Sequence, residues 1–486
     1  MCGLIAAFGG VTKKELSFWS KRLKHRGPDG SNIYFNESIS MAFNRLAIND
    51  PTELGDQPYK FGQYVTMING EIYNHDYLKE KYQLQYLGQA DTNIIGPLFE
   101  KLGKEIIHQL DGFYSGVVFN KYSNKLYTLR DYIGKKGLFL VKKGLKVIIT
   151  SELKAIPSFD SFEVIPKGVC EINLSSGEIK QVQHHSVMFD KPSRSLSDIL
   201  KEAVIKRLPK DNAPFGVFLS GGLDSSILAY ILVELQANSS FYILGDENNS
   251  TDFPPAMSLI KNLGISNYRV ISLPSKDELP KLIEQVVKTT ESYNPSIISN
   301  GICTYLLSQA AKNDNLKVVL SGEGADELFG GYKYQEDSDK WKVFRSKLLT
   351  DMHFTELRRV DLTCMSNGIE ARFPYLDRQI YEFSQALEYG DLYSFYDAMP
   401  ISKFVLRKEY EHCLSRSIIW RKKISSDVGS GIRSLVVNYL QENYESEKVG
   451  LKAIWSKFYK YNHIDNYFHS YPCFDSVIEK RGGSHK

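Results

Sequence analysis

The sequence predicts an α/β chain in two parts: a layered, β-rich first half, and a second half built on a parallel sheet with crossover helices. Three patterns carry this reading. Short strands at 4–8, 116–119, 125–130, 138–141 and 147–150 are separated by turns, as in stacked antiparallel layers. Further on, strands at 241–244, 268–273 and 317–320 alternate with helical stretches, as in βαβ units. Between them, the apolar run 217–219 breaks into Ser220-Gly221-Gly222-Leu223-Asp224-Ser225-Ser226, and a second apolar run, 227–233, reads as a helix packed on the core.

The chain has 486 residues, enough for two or three domains with cores of their own. Asp190-Lys191-Pro192-Ser193 interrupts the strand pattern. This places one domain at 1–190 and another at 195–486, the latter opening with a helix at 196–208. With 42% apolar and 24% charged residues, the composition is that of an ordinary globular protein. A net charge of +3 provides no field that would gather nucleic acid. Cys2, Cys170, Cys303, Cys364, Cys413 and Cys473 show no CxxC spacing, so neither zinc nor a disulfide framework is expected. No signal peptide and no apolar run of membrane-spanning length is found, and a cytoplasmic location is expected without a membrane partner. The tail 480–486 is expected to fray.

Met1-Cys2-Gly3 precedes the first strand. Initiator methionine is normally removed before a small side chain, which would leave Cys2 carrying both a thiol and an α-amine. Such an amine titrates near neutrality and can take the thiol proton, as in N-terminal nucleophiles. Polar clusters follow at His25-Arg26-Gly27-Pro28-Asp29, Asn44-Arg45-Leu46, Asn69-Gly70-Glu71-Ile72-Tyr73-Asn74 and Gly88-Gln89-Ala90-Asp91-Thr92. Arg45 can grip a carboxylate in two-pronged fashion. Glu71 and Asp91 can receive an ammonium group. Asn69 and the Gly70 N–H, expected at a tight turn after a strand at 64–68, can form an oxyanion hole. Together these groups suit a free amino acid whose side-chain amide is attacked.

Here the chain resembles the glutamine-hydrolysing asparagine synthetases over nearly its whole length. MCGLIAAFGG, HRGPDG, NRLAIND, NGEIYN, RDYIGKKGL and SELKAI stand in that family's order. The resemblance implies that the first half is a class II glutaminase, an αββα sandwich of the N-terminal nucleophile type. In it Cys2 is the nucleophile, Asn69 and Gly70 hold the oxyanion, and Arg45, Glu71 and Asp91 grip glutamine. Ala90, Asn93 and Gly137 depart from the family's usual serine or threonine, glutamate and proline.

In the second half, the Ser220 loop lacks the lysine of a Walker loop. It remains a nest for phosphate: Gly221 and Gly222 allow close backbone approach, while Ser220, Ser225 and Ser226 offer hydroxyls. Asp224 in that loop suggests a bridging Mg²⁺. Ser321-Gly322-Glu323-Gly324-Ala325-Asp326-Glu327 also follows a strand, so both segments are expected in one crevice at the carboxyl ends of the strands. Carboxylates this dense on a loop repel unless a cation lies among them. Mg²⁺ shared with ATP phosphates is the expected cation, with Asp224 and Asp326 as ligands and Glu323 as a general base.

SGGLDSS, SGEGADELFGGY, the stretch 361–377, Lys403-Phe404-Val405-Leu406-Arg407 and Trp420-Arg421-Lys422-Lys423 extend the resemblance into the ATP-pyrophosphatase half, a doubly wound parallel sheet. It implies that a carboxylate acceptor, aspartate by default, attacks the α-phosphorus of MgATP. Ammonia from the first site then attacks the acyl-adenylate, and Lys423 lies over the α-phosphate. It also implies a dry ammonia passage and often a homodimer.

Two departures bear on the acceptor. Ser299 stands where the family carries an arginine thought to bind aspartate, and the stretch after Lys423 is one or two residues short. The alternatives are therefore amidation of another carboxylic acid (a sugar acid or secondary metabolite), a cyclase resembling the β-lactam synthetases, or a binding protein that keeps the fold.

Overall fold

The computed structural model describes residues 2–185, 194–332 and 338–459, and the chain divides into two compact units, 1–187 and 188–486. The expected linker at Asp190–Ser193 and the tail 480–486 lie outside the described residues, as does Cys473.

The first unit contains β1 (Gly3–Phe8), β2 (Gly30–Phe35), β3 (Ser40–Arg45), β4 (Tyr59–Phe61), β5 (Tyr64–Ile72), β6 (Gly112–Asn120), β7 (Lys125–Arg130), β8 (Phe139–Lys143), β9 (Lys146–Thr150), β10 (Ser161–Val164), β11 (Gly168–Ile172) and β12 (Ile179–Gln183). They form two antiparallel six-stranded sheets, ordered β10-β8-β9-β1-β3-β2 and β12-β11-β7-β6-β5-β4. Leu4, Ala6 and Phe8 from one sheet and Val65, Met67, Val117 and Phe119 from the other share one apolar core, so the sheets pack face to face. The outer face of the second sheet, through Ile68, Ile72 and Val118, packs on Leu98 and Phe99 of the helix Ile95–Leu102. A helix at Lys13–Arg22, fixed by a Thr12/Glu15 capping box, covers β1 and β3 on the other side through Leu16 and Trp19. The result is an αββα sandwich.

One expectation fails here. The strand expected at 64–68 does not turn at Asn69–Gly70 but runs on to Ile72, with Asn69 opposite Ser115 and Gly70 opposite Tyr114. The ladder with β6 carries the strand on, and Gly70 faces Tyr114 as a non-hydrogen-bonded pair, since the Tyr114 N–H and carbonyl both bond Asp131. A Cβ at Gly70 would meet the Phe113 carbonyl at 2.0 Å, so glycine is required for this approach.

The second unit is built on β13 (Phe215–Phe218), β14 (Ser239–Leu244), β15 (Tyr268–Ile271), β16 (Val318–Leu320) and β17 (Glu370–Arg372). All neighbours are parallel, in the order β15-β14-β13-β16-β17. The chain winds outward one way from β13 and the other way from β16, so the order reverses between those two strands. Outside their carboxyl ends a crevice must open, because the following helices go to opposite faces. Among the described residues no helix is long and apolar enough to cross a membrane.

Candidate active site

In the first unit Cys2 is buried at the start of β1. Its backbone nitrogen donates to Asn69 Oδ1 at 2.8 Å, and its carbonyl accepts from Arg26 Nε at 3.0 Å. Arg26 is fixed by Glu152 at 2.6 Å, and Glu152 also faces His25 and Lys154 at 3.0 and 2.9 Å. Burial pushes the Glu152 carboxyl up, but the charges of Lys154, His25 and Arg26 outweigh it and hold the group well below the usual carboxylate range. Asn69 Nδ2 is buried with no hydrogen-bond partner. A donor in that state lacks only an acceptor, which an oxyanion next to the thiol supplies.

Arg45 ends β3. Its Nη1 donates to the Thr52 carbonyl at 2.7 Å and to Asp56 Oδ1 at 2.8 Å, and its Nη2 donates to the Asp50 carbonyl. Gly55 makes this possible: a Cβ there would lie 2.1 Å from Nη2. Asn49 Nδ2 donates to both Glu71 Oε1 and Asp91 Oδ1, at 2.6 and 3.0 Å, and Asp91 Oδ2 accepts from the Ile72 N–H at 2.7 Å. The loop between β3 and β4 thus draws Arg45, Glu71 and Asp91 into one region. Asn93, a family departure, ties the Leu54 and Leu87 carbonyls to each other at 2.9 and 3.0 Å.

The crevice of the second unit contains the other set. After β13, Ser220–Gly222 leads into the helix Leu223–Glu234. Gly221 has φ +70°, and a Cβ there would meet the Ala256 nitrogen at 2.6 Å. Ser220 N and Oγ lie 3.2 and 3.1 Å from Ser225 Oγ, and the Gly222 N–H donates to Ser220 Oγ at 3.3 Å. No side chain caps this helix, and Ser226 Oγ is buried without a partner. The helix starts earlier than the apolar run suggests, so Asp224 lies in its first turn rather than in the loop. Asp326 and Glu327 likewise belong to a short helix, Ala325–Phe329, rather than to a loop. Gly322 brings the two segments together: a Cβ there would lie 3.1 Å from Asp224 Cβ. The Ser321 N–H, by contrast, is used by the sheet, donating to the Arg372 carbonyl.

The charge balance differs from the one expected. Lys403 Nζ lies between the two aspartates, 2.5 Å from Asp224 Oδ2 and 2.6 Å from Asp326 Oδ1, and Lys423 Nζ lies 2.7 Å from Asp326 Oδ2. Two lysines relieve the repulsion between these carboxylates. Burial raises the Asp326 carboxyl, but Lys403 and Lys423 prevail and hold it far below the ordinary value. Asp224 Oδ1 remains buried with no hydrogen-bond partner, which fits a hard cation completed by phosphate oxygens. Among the described residues, no group of three or more His, Cys, Asp or Glu is placed so that it could hold a metal ion.

Glu323 is paired with Arg359 at 2.7 Å. Glu327 turns away to hydrogen-bond the Tyr332 hydroxyl. Burial, with Glu356 and Asp326 nearby, pushes its carboxyl well above the usual range. Arg421 binds Asp252 at 2.7 Å and the Gly221 carbonyl at 3.2 Å, tethering the loop. Ser299 Oγ lies 2.5 Å from Asp427 Oδ2. Cys303 lines the crevice, and burial and Asp427 push its thiol up to about 12. Sequence reasoning missed Asp56 and Arg359 and gave Asn49 and Glu152, inside quoted motifs, no role, since all four act through contacts between distant segments. Lys403 was visible only as part of a quoted motif.

The profile described as "Glutamine amidotransferase domain" matches residues 1–181, and that described as "Asparagine synthase" matches 195–349 and 342–453. A probable asparagine synthetase [glutamine-hydrolyzing] of Acanthamoeba polyphaga mimivirus is 30% identical over 92% of this chain and 90% of its own. An asparagine synthetase [glutamine-hydrolyzing] of Brassica oleracea is 31% identical over 89% of this chain and 78% of its own. Among solved structures, a glutamine phosphoribosylpyrophosphate amidotransferase from B. subtilis aligns over 80% of this chain and 94% of its own, at 12% identity and a TM-score of 0.35.

Proposed function

The chain belongs to the asparagine synthase family, and from that premise we propose that it is a cytoplasmic enzyme converting a carboxylate to an amide with glutamine and ATP, aspartate being the default acceptor. The observation that carries the proposal is the unpartnered Asn69 Nδ2 beside Cys2, whose nitrogen is already held by Asn69 Oδ1.

With the initiator methionine removed, the α-amine of Cys2 takes the thiol proton. The hydrogen bond to Asn69 orients the amine for this. The thiolate attacks the side-chain carbonyl of glutamine. Asn69 Nδ2 and the Gly70 N–H receive the oxyanion, the Cys2 ammonium gives its proton to the leaving nitrogen, the C–N bond breaks, and ammonia leaves. Water then cleaves the thioester to glutamate. Arg45 takes the α-carboxylate of glutamine, and Glu71 and Asp91 take its α-ammonium.

In the second unit, Ser220, Gly221, Gly222, Ser225, Ser226, Ser321 and Gly322 cradle the ATP phosphates at the helix N-terminus. The acceptor carboxylate attacks the α-phosphorus, pyrophosphate leaves, and an acyl-adenylate forms. Lys423 offsets charge at the phosphates. Asp224 and Asp326 would hold Mg²⁺, which supplies Lewis-acid charge neutralisation when bound. Lys403 keeps the two aspartates together. Ammonia attacks the acyl carbon, Glu323 takes its proton, and AMP departs.

A second reading, amidation of a different carboxylic acid, is favoured by Ser299. Where the resemblance leads one to expect an arginine, its hydroxyl meets the buried Asp427. An α-carboxylate there loses the guanidinium that the resemblance leads one to expect, at a cost on the order of 2–4 kcal/mol unless another crevice cation such as Arg359 takes its place. A cyclase needs no ammonia and thus no thiol.

Replacing Cys2 with alanine tests the leading reading. Glutamine-driven amide formation should fall by at least a hundredfold while ammonia-driven formation stays within about twofold. Equal loss of both, or of neither, argues against a glutaminase at Cys2.

A further inference from the structure

Both ends of the pocket proposed for glutamine are already filled by side chains of the chain itself. Arg45, assigned to the α-carboxylate, bonds the carboxylate of Asp56 at 2.8 Å. Asp56 is held at its other oxygen by Asn32 Nδ2 at 2.9 Å, so it is tethered at both oxygens rather than lying on Arg45 by chance. Glu71 and Asp91, assigned to the α-ammonium, share the Nδ2 donor of Asn49 at 2.6 and 3.0 Å. One loop carries both occupants: Asn49 adjoins Asp50, whose carbonyl accepts from Arg45, and Asp56 closes the segment next to Gly55. Each occupant copies the chemistry of the end it covers, an anion on the guanidinium and an N–H donor between two carboxylates.

We propose that Asp56 and Asn49 are internal stand-ins for the two ends of an α-amino acid, and that glutamine binds by displacing them. The Asp56 side chain is 32% exposed, so it can return to water cheaply. Competition of this kind raises the concentration of glutamine needed without touching the chemical step, because it acts only on the unliganded pocket. The loop thereby sets the glutamine threshold below which the thiol stays idle. This inference rests on the glutaminase reading.

The test is steady-state glutaminase kinetics of wild type, Asp56→Asn and Asn49→Ala, with ammonia-driven amide formation used to normalise for folded protein. For Asp56→Asn, KM for glutamine should fall roughly five- to tenfold with kcat unchanged. The same variant should show no gain with 4-aminobutanamide, which lacks the α-carboxylate that competes for Arg45; a merely structural effect would move both substrates alike. Asn49→Ala should lower KM in the same direction. If wild type hydrolyses glutamine but Asp56→Asn leaves KM unchanged or raises it, the competition is wrong while the glutaminase stands. If wild type hydrolyses no glutamine at all, the glutaminase reading falls and the competition with it.

Discussion

At the residue scale, the weight falls on charges buried together. Glu152 is fully buried among Arg26, His25 and Lys154, and through Arg26 it holds the Cys2 carbonyl. Its carboxyl lies well below the ordinary range in the fold, so as acid is added the unfolded chain takes up the proton first. Its contribution to stability is therefore complete above the unfolded value near 4 and lost as pH falls through the folded one. Glu152→Gln leaves Arg26 and Lys154 against a neutral amide, and unfolding of the N-terminal unit in urea should become easier by about 3–5 kcal/mol at pH 7. The gap to wild type should narrow below pH 4, and equal stability at pH 7 would refute the account of this cluster. None of this was legible in the sequence. Glu152 lies in a stretch recognised only as family-like, and its partners are more than a hundred residues away for both Arg26 and His25. Asp56 and Asn49 escaped notice for the same reason: what makes them relevant is which distant groups the loop presents them to.

At the scale of elements, the Ser220 loop was legible because its chemistry is local. An apolar strand, two glycines and an apolar helix specify the nest without help from elsewhere. The helix start was misjudged by four residues, since Leu223-Asp224-Ser225-Ser226 shows no apolar period although it occupies the first turn. The three-residue strand β17 was also missed. It is a buried Glu-Ala-Arg, and the Glu370–Arg372 contact at 2.7 Å, with Arg372 Nη1 on the Arg207 carbonyl at 3.0 Å, offsets the burial of such charges inside a sheet. The loop invites a paired test. Gly221 sits at φ +70° with no room for a Cβ, whereas at Gly222 a Cβ would meet nothing nearer than Ser220 Oγ at 3.3 Å. Gly221→Ala should raise the KM for ATP at least tenfold and leave glutamine hydrolysis intact, while Gly222→Ala should cost less than threefold. Equal effects of the two would mean that the backbone geometry of this loop does not govern ATP binding.

For the whole molecule, the central claim is that two chemistries, one in each compact unit, serve a single reaction: a thiol that frees nitrogen and a crevice that activates an acid. The class of both units was readable from strand spacing and motif order, because antiparallel layers and βαβ crossovers leave different periodicities. The acceptor was not readable. The crevice wall of Asn300, Cys303 and Ser426 stands on the buried Ser299–Asp427 contact, in a stretch that departs from the family's length, and a substrate's shape is written in that wall rather than in any motif. The most direct measurement is product stoichiometry: purified chain with glutamine, ATP, Mg²⁺ and a panel of carboxylic acids that includes aspartate. For one acid, glutamate, AMP, pyrophosphate and the amide should appear in equal amounts. Glutamate formation with no AMP for any acid, or AMP formation without glutamate and without an amide, would contradict it.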